Sequence, residues 1–308
     1  MKSLLSIFIF YFLALFASSV FAQASEKKVV VTGVRFAYPL VEKWIEAYKV
    51  ANTDADIIIE SRTTTDPAKY DLLIEAFEPD ISVKESREYL YLGRYALLPV
   101  ANAKSSFAQV YGEKGLTADL IKQIYFNDIY ADKKNQKKIL SEYTIYTRLQ
   151  KAGAPITFSK YFGYEQANIQ GKAIAGADEH LVKALLKDST AVSYNVPGLL
   201  YDLQTRKPLN GLTIIPVDAD GNGRVSEDEH FFDNLDTVVD KIEQGETKNI
   251  PIEFLHLSIA KNSTNPEALK FLQWVAANGQ EDLLKFGFLK LDPKRYKQEK
   301  AKFNVAIN

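Results

Sequence analysis

Two short apolar runs near the start of the chain constrain its fold more than any other feature. Lys28-Val29-Val30-Val31-Thr32 is β-branched and of strand length, and Ala55-Asp56-Ile57-Ile58-Ile59-Glu60 is a second such run. Between them, residues 39–48 carry apolar side chains at helical spacing, with Pro39 in the first turn, where a missing N–H forfeits no bond. Strand, helix, strand in this order needs a crossover and indicates a parallel pairing. The alternation recurs downstream. Residues 70–76 predict a short strand, and 89–100 a long β-prone run suited to passing between domains. Helices are expected at 117–125, 152–162, 178–187, 229–244 and 266–276, and strands at 143–147, 190–194, 212–217 and 254–259. No internal repeat or low-complexity linker interrupts the pattern, so the class is α/β throughout.

Composition narrows the function. The 38 Lys and Arg against 39 Asp and Glu give a formal charge of −1, which supplies no basic field for a nucleic acid. A hydrophobic share of 46% is too high for a disordered chain. With no cysteine there are no disulfides, thiolate zinc sites, iron–sulfur clusters or cysteine nucleophiles. His180, His230 and His256 are widely spaced, which argues against a histidine-rich metal site. Nor does the chain carry a G-x-S-x-G, an S-x-x-K with accessory motifs, a GxGxxG or a P-loop, so a binding role is expected rather than an enzyme.

The first segment reads as an export signal. Lys2 is the only charge before Glu26, and an almost unbroken apolar run over 4–16 ends in Ala17, Ser18 and Ser19. Val20-Phe21-Ala22 supplies compact residues for cleavage after 22, with a second possible cut after Ala24. No cysteine follows, so the expected product is not a lipoprotein. An uncleaved anchor is the other reading, since about 20 apolar residues can span a bilayer.

Asp218-Ala219-Asp220-Gly221-Asn222-Gly223-Arg224-Val225-Ser226-Glu227-Asp228-Glu229 satisfies D-x-[DN]-x-[DN]-G-x5-E in full. A hard Ca2+ ion takes six to eight oxygens, and this spacing offers Asp218, Asp220, Asn222 and Ser226 side chains, the Arg224 carbonyl and a bidentate Glu229. Gly223 stands at the sharp turn. Because 212–217 reads as a strand, the loop is expected to be an isolated structural calcium site rather than half of an EF-hand pair. A capping box, Ser226-x-x-Glu229, accounts for the last four residues without metal, but not for Asp218, Asp220 and Asn222.

Several fragments together resemble the periplasmic phosphate-binding proteins of ABC transporters. Phe36-Ala37-Tyr38-Pro39-Leu40 with Lys43-Trp44, directly after a strand and Gly33, is similar to that family's first helix, F-x-x-P-L-x-x-K-W. Leu116-Thr117-Ala118-Asp119-Leu120-Ile121-Lys122-Gln123-Ile124-Tyr125 resembles its second-domain helix. Thr147-Arg148 with Gly153 and Phe158 resembles the anion-binding turn, R-x-D-x-S-G-T with a later phenylalanine. Phe271-Leu272-Gln273-Trp274-Val275, Gly279-Gln280 and Gly287-Phe288 resemble its C-terminal helix and close.

The resemblance implies a type 2 periplasmic-binding fold of two lobes, each a mixed sheet flanked by helices, with the ligand in the cleft between them. Residues 26–98 and 250–308 would share one lobe and 99–249 would form the other. The ligand implied is phosphate or a related oxyanion, delivered to ABC permease subunits by a periplasmic, monomeric carrier. By the same resemblance Arg148 is the anion-binding arginine, Gly153 the close-approach glycine, Phe36 lies in the first helix motif and Thr64 lies near a ligand serine. Glu75 is a loose match to an acidic ligand. The turn departs from the pattern, with Gln150 for aspartate, Ala152 for serine and Ala154 for threonine, while Arg35 stands where the family has threonine. Gln150 can donate and accept and so could partly replace the aspartate. Two expectations follow: an anion held mainly by Arg35 and Arg148 with weakened selectivity, or structural ion pairs at those arginines. A repurposed fold, serving as an envelope sensor or interaction protein, is the alternative function.

Overall fold

The computed structural model describes residues 28–60, 66–78, 80–127, 141–245 and 247–305. The expected signal peptide at 1–22 and Thr64 lie outside the described residues. β1 (Val29–Gly33) leads through a short turn into α1 (Tyr38–Ala51) and then β2 (Ile57–Ile59), which pairs parallel with β1. β3 (Leu72–Glu75) pairs parallel with the other edge of β1. A short helix, α2 (Ile81–Ser86), precedes β4 (Arg87–Ala96).

The long β-prone run is divided between two sheets. After β4 the chain passes through buried Leu97 into β5 (Leu98–Asn102), which belongs to the second sheet. That sheet is completed by β6 (Thr144–Arg148), β7 (Lys172–Ile174), β8 (Ala191–Asn195) and β9 (Leu212–Ile214), in the order β7-β6-β8-β5-β9. Its helices are α3 (Ser106–Lys114), α4 (Ala118–Tyr125), α5 (Gly153–Tyr161), α6 (Asp178–Lys187), the short α7 (Pro197–Leu200) and α8 (Leu235–Gln244). β10 (Ile252–Ala260) then returns to the first sheet, antiparallel between β3 and β4, giving β2-β1-β3-β10-β4. α9 (Pro266–Asn278) and α10 (Pro293–Val305) complete the chain. Two five-stranded mixed sheets flanked by helices make the two-lobed α/β architecture expected from sequence.

Each lobe has its own aromatic core. α1 buries Leu40, Val41, Trp44, Ile45 and Tyr48, and Tyr48 meets the Phe271 ring of α9 edge-on at 5.3 Å. In the second lobe Phe158 stacks on Tyr194 at 4.0 Å. Fully burying one such side chain contributes about 1.5–3 kcal/mol, so these clusters anchor helices to sheets.

Two sequence expectations are corrected here. The strand expected over 212–217 ends at Ile214, because Pro216 has no N–H to continue the ladder. The helix expected over 229–244 begins at Leu235, where the Asn234 side chain accepts from Asp236 N at 2.9 Å. Upstream, Glu227–Glu229 forms a single 3-10 turn, and the carbonyl of buried Phe232 accepts from the Tyr201 hydroxyl at 2.7 Å, holding the intervening chain out of helix.

Candidate functional site

Arg148 closes β6, and Asp178 opens α6. The Arg148 Nη1 donates to Asp178 Oδ2 at 3.0 Å, with side-chain exposures of 15% and 4%. A carboxylate in the first turn of a helix is favoured by the free N–H groups and the dipole there. The Asn195 side chain holds the Asp178 carbonyl at 3.0 Å, which fixes the start of α6 against the end of β8. Two atoms of the pair are buried without hydrogen-bond partners, Arg148 Nε and Asp178 Oδ1. Burial lifts the Asp178 carboxyl above its ordinary range, and Arg148 opposes that shift. An unpartnered donor and an unpartnered acceptor on one ion pair are the two kinds of group that a protonated oxyanion takes, accepting from the guanidinium and donating to the carboxylate.

Gly153, at the first position of α5, makes the close approach that its lack of a side chain permits. The neighbour is Ala76 of the other lobe: a Cβ on Gly153 would stand 2.7 Å from both the Cβ and the carbonyl oxygen of Ala76. Beside this contact, fully buried Tyr95 of β4 donates its hydroxyl to the Ala76 carbonyl and shares a 2.8 Å hydrogen bond with Thr157 of α5. The end of β3, the end of β4 and the first turns of α5 are thereby joined across the lobes.

The other expected anion ligands take the following positions. Arg35 is exposed and has no ion-pair partner among the described residues, and the short turn it begins, Arg35–Ala37, lies against α6, the helix that Asp178 opens. Phe36 is buried, its ring 5.4 Å from Tyr95 and 6.2 Å from Phe288. Gln150 is exposed, and its Oε1 accepts from Gly176 N at 3.3 Å, bracing the loop before α6. Glu75 lies in β3 opposite His256 of β10, their carboxylate and Nε2 3.7 Å apart. Burial pushes the Glu75 carboxyl up to about 7 and lowers His256 to about 4. Asp178, Tyr95 and Thr157 were not picked out by sequence reading. An acidic pair at a helix start, Asp178-Glu179, was the one available signal.

The loop over 218–229 gathers its acids. One carboxylate oxygen from each of Asp218, Asp220 and Glu229 lies within 4.8 Å of the others, and Asp218 and Glu229 are buried. Oxygens on opposite sides of a Ca2+ ion stand about 4.6–5.2 Å apart, so the spread fits. Gly223 takes φ +91°, the left-handed turn required at loop position six. Asn222 N donates to Asp218 Oδ1 and to Asp220 Oδ1, both at 2.9 Å, while the Ser226 hydroxyl donates to Glu229 at 2.9 Å. The exposed Arg224 stands at position seven, where the carbonyl is the ligand. The loop is tied to the return crossover through Lys248 N to the Ala219 carbonyl at 2.7 Å and the Asn249 side chain to the Asp218 carbonyl at 2.6 Å.

Among the described residues no helix is long and apolar enough to cross a membrane. No family model matches the sequence, and no curated protein matches it. Solved structures match over most of the chain. A phosphate ABC transporter substrate-binding protein with bound phosphate from Clostridium perfringens aligns with a TM-score of 0.62 at 14% identity, over 86% of this chain and 100% of its own. An ABC-type phosphate transport receptor from Vibrio cholerae aligns with a TM-score of 0.56 at 13% identity, over 86% and 100%. The regulatory domain of Synechocystis PCC6803 CcmR in complex with 2-PG aligns with a TM-score of 0.50 at 11% identity, over 81% and 96%. At such identities the likeness speaks for the fold, and the chain has the two-lobed α/β fold that these binding proteins and this regulatory domain share.

Proposed function

We propose that the protein is an exported solute-binding protein that captures phosphate or a related oxyanion by hinge closure and presents it to an ABC-type permease. The observation that carries this reading is the Arg148–Asp178 pair, with Nε and Oδ1 buried and open at the ends of β6 and α6. A buried donor beside a buried acceptor prefers monohydrogen phosphate to sulfate, which has no proton to give Asp178. The similarity to two phosphate-binding proteins supports the same choice. Closure is driven by contacts that both lobes make in the closed state only. The role is binding without catalysis, in the periplasm after removal of 1–22.

Isothermal titration tests it, with phosphate and sulfate against the mature protein and Arg148→Ala. Phosphate binding that sulfate does not match, lost in the variant, is the expected result. No heat with either anion up to millimolar concentration would reject it.

A second reading is favoured by the Gly153–Ala76 contact and the Tyr95 hydrogen bonds, through which the protein's own residues join the lobes. On that reading the fold is kept for sensing or for an envelope partner. We also propose that Asp218, Asp220, Asn222, Arg224, Ser226 and Glu229 hold a structural Ca2+ ion, since they supply the oxygen types and spacing that this ion takes.

A further inference from the structure

Between the lobes, one helical turn along α5 from the Gly153 contact, lies a pocket of about 250 Å³ to which Arg148 contributes nothing. Its apolar walls include Ile156 from the second lobe and Ile252 from the first, with Thr157 and Tyr161 beside them. Glu253 of β10 and Lys160 of α5 line it from opposite lobes. Neither has an ion-pair partner among the described residues, and they do not pair with each other. Glu253 Oε1 accepts from the N–H of its neighbour Phe254 at 2.8 Å, which leaves its second oxygen to the pocket. The other acid on the wall, Glu78, is already neutralised by Lys84 and by the Tyr91 hydroxyl at 2.8 Å. Burial raises the Glu253 carboxyl and Glu78 adds to the shift, while the Phe254 N–H, Lys160 and Lys84 oppose it without cancelling it.

We propose that this pocket binds a small zwitterion, its ammonium group on Glu253, its anionic group on Lys160 and its carbon chain between Ile156 and Ile252. A separated acid and base on facing walls leave room for one molecule bearing both complementary charges. A ligand with one charge would satisfy only one of them. Thr157 also belongs to the hydrogen bond with Tyr95, so the pocket floor is the same contact that joins the lobes. The site is separate from the proposed anion site at Arg148.

The test is isothermal titration of β-alanine, γ-aminobutyrate and 2-aminoethylphosphonate into the purified protein, with butylamine and butyrate as singly charged controls. At least one zwitterion should bind about tenfold more tightly than either control. Glu253→Gln and Lys160→Gln should each weaken it about tenfold, the loss of one charge-assisted contact. Saturating phosphate should leave this binding unchanged, because phosphate is assigned to the other site and Arg148 does not line this pocket. Circular dichroism confirms that each variant is folded. Silence with all three zwitterions at about 10 mM, or affinities unmoved by both pocket variants, would overturn the assignment. So would displacement of the zwitterion by phosphate, which would place it at the anion site.

Discussion

Arg148 Nη1 lies 3.0 Å from Asp178 Oδ2, and the two residues stand at the ends of different elements of one lobe, 30 positions apart. The pair is buried enough that its members depend on each other. Removing Arg148 leaves a carboxylate in the first turn of α6 with no counter-charge, and breaking a buried pair costs about 3–5 kcal/mol. Arg148→Ala should therefore lower the urea midpoint strongly. Arg148→Met with Asp178→Leu should recover most of the loss, because the desolvation penalty goes with both charges. Equal midpoints for the single variant and wild type would show that the pair is solvated in solution.

Glu75 and His256 face each other across β3 and β10, and their titrations oppose. Glu75 keeps its proton in the fold up to about pH 7, against 4.5 ordinarily, so the stability it contributes is present below about 4.5 and is lost as pH rises through 7. His256 stays neutral down to about pH 4, against 6.5 ordinarily, so its contribution is present above about 6.5 and is lost as pH falls through 4. Each shift corresponds to at most about 3 kcal/mol. The slopes offset between pH 4.5 and 6.5. In Glu75→Gln, urea midpoints should fall as pH drops through that window, relative to wild type. In His256→Gln they should rise instead. Parallel profiles for all three proteins would contradict the opposition.

Gly153→Ala should force the lobes apart. Its new methyl meets Ala76 at 2.7 Å, and the nearest atoms include backbone, which cannot swing away. Overpacking of this kind costs about 1–3 kcal/mol. A lower melting temperature together with a larger radius of gyration by X-ray scattering is the expected outcome. A stable variant of unchanged size would mean that the lobes are not in contact there in solution.

Tyr95→Phe removes the hydroxyl that joins Ala76 to Thr157. The ring stays, so the change reports the hydrogen bonds alone, at about 1–3 kcal/mol when buried partners are left unsatisfied. Hydrogen exchange should quicken at the start of α5 more than in α1. Uniform exchange would argue against a role for Tyr95 between the lobes.

Calcium should raise the melting temperature of the wild type, with a dissociation constant of about 10⁻⁴–10⁻³ M as for extracellular loops. At a hundredfold excess over that constant, binding adds about 2.7 kcal/mol. Glu229→Gln should abolish the rise, and chelation should reverse it in wild type. Tyrosine-sensitised terbium luminescence checks occupancy directly, and identical signals from the variant and wild type would reject the site.

Much of this was legible in the sequence because the physics is local. The Val29 to Thr32 run, the helical spacing from Pro39 to Tyr48 and the oxygen spacing from Asp218 to Glu229 each lie within one element or one loop. Short-range periodicity and turn chemistry therefore reveal them. Element ends were less legible. The helix after the acidic loop starts at Leu235, where Asn234 caps it, while the chain before it is held by Tyr201, a residue 31 positions before Phe232.

The sequence by itself determined an α/β chain of alternating strands and helices and a loop of calcium-ligand spacing. Tertiary structure alone decided that Arg148 would meet Asp178, that Tyr95 would reach Thr157 across 62 residues, and that Lys160 and Glu253 would face one pocket unpaired. The reason is physical: a periodic pattern encodes which face of an element is buried, whereas the partner across a cleft depends on strand register and on the path of two crossovers. Neither of these repeats along the chain.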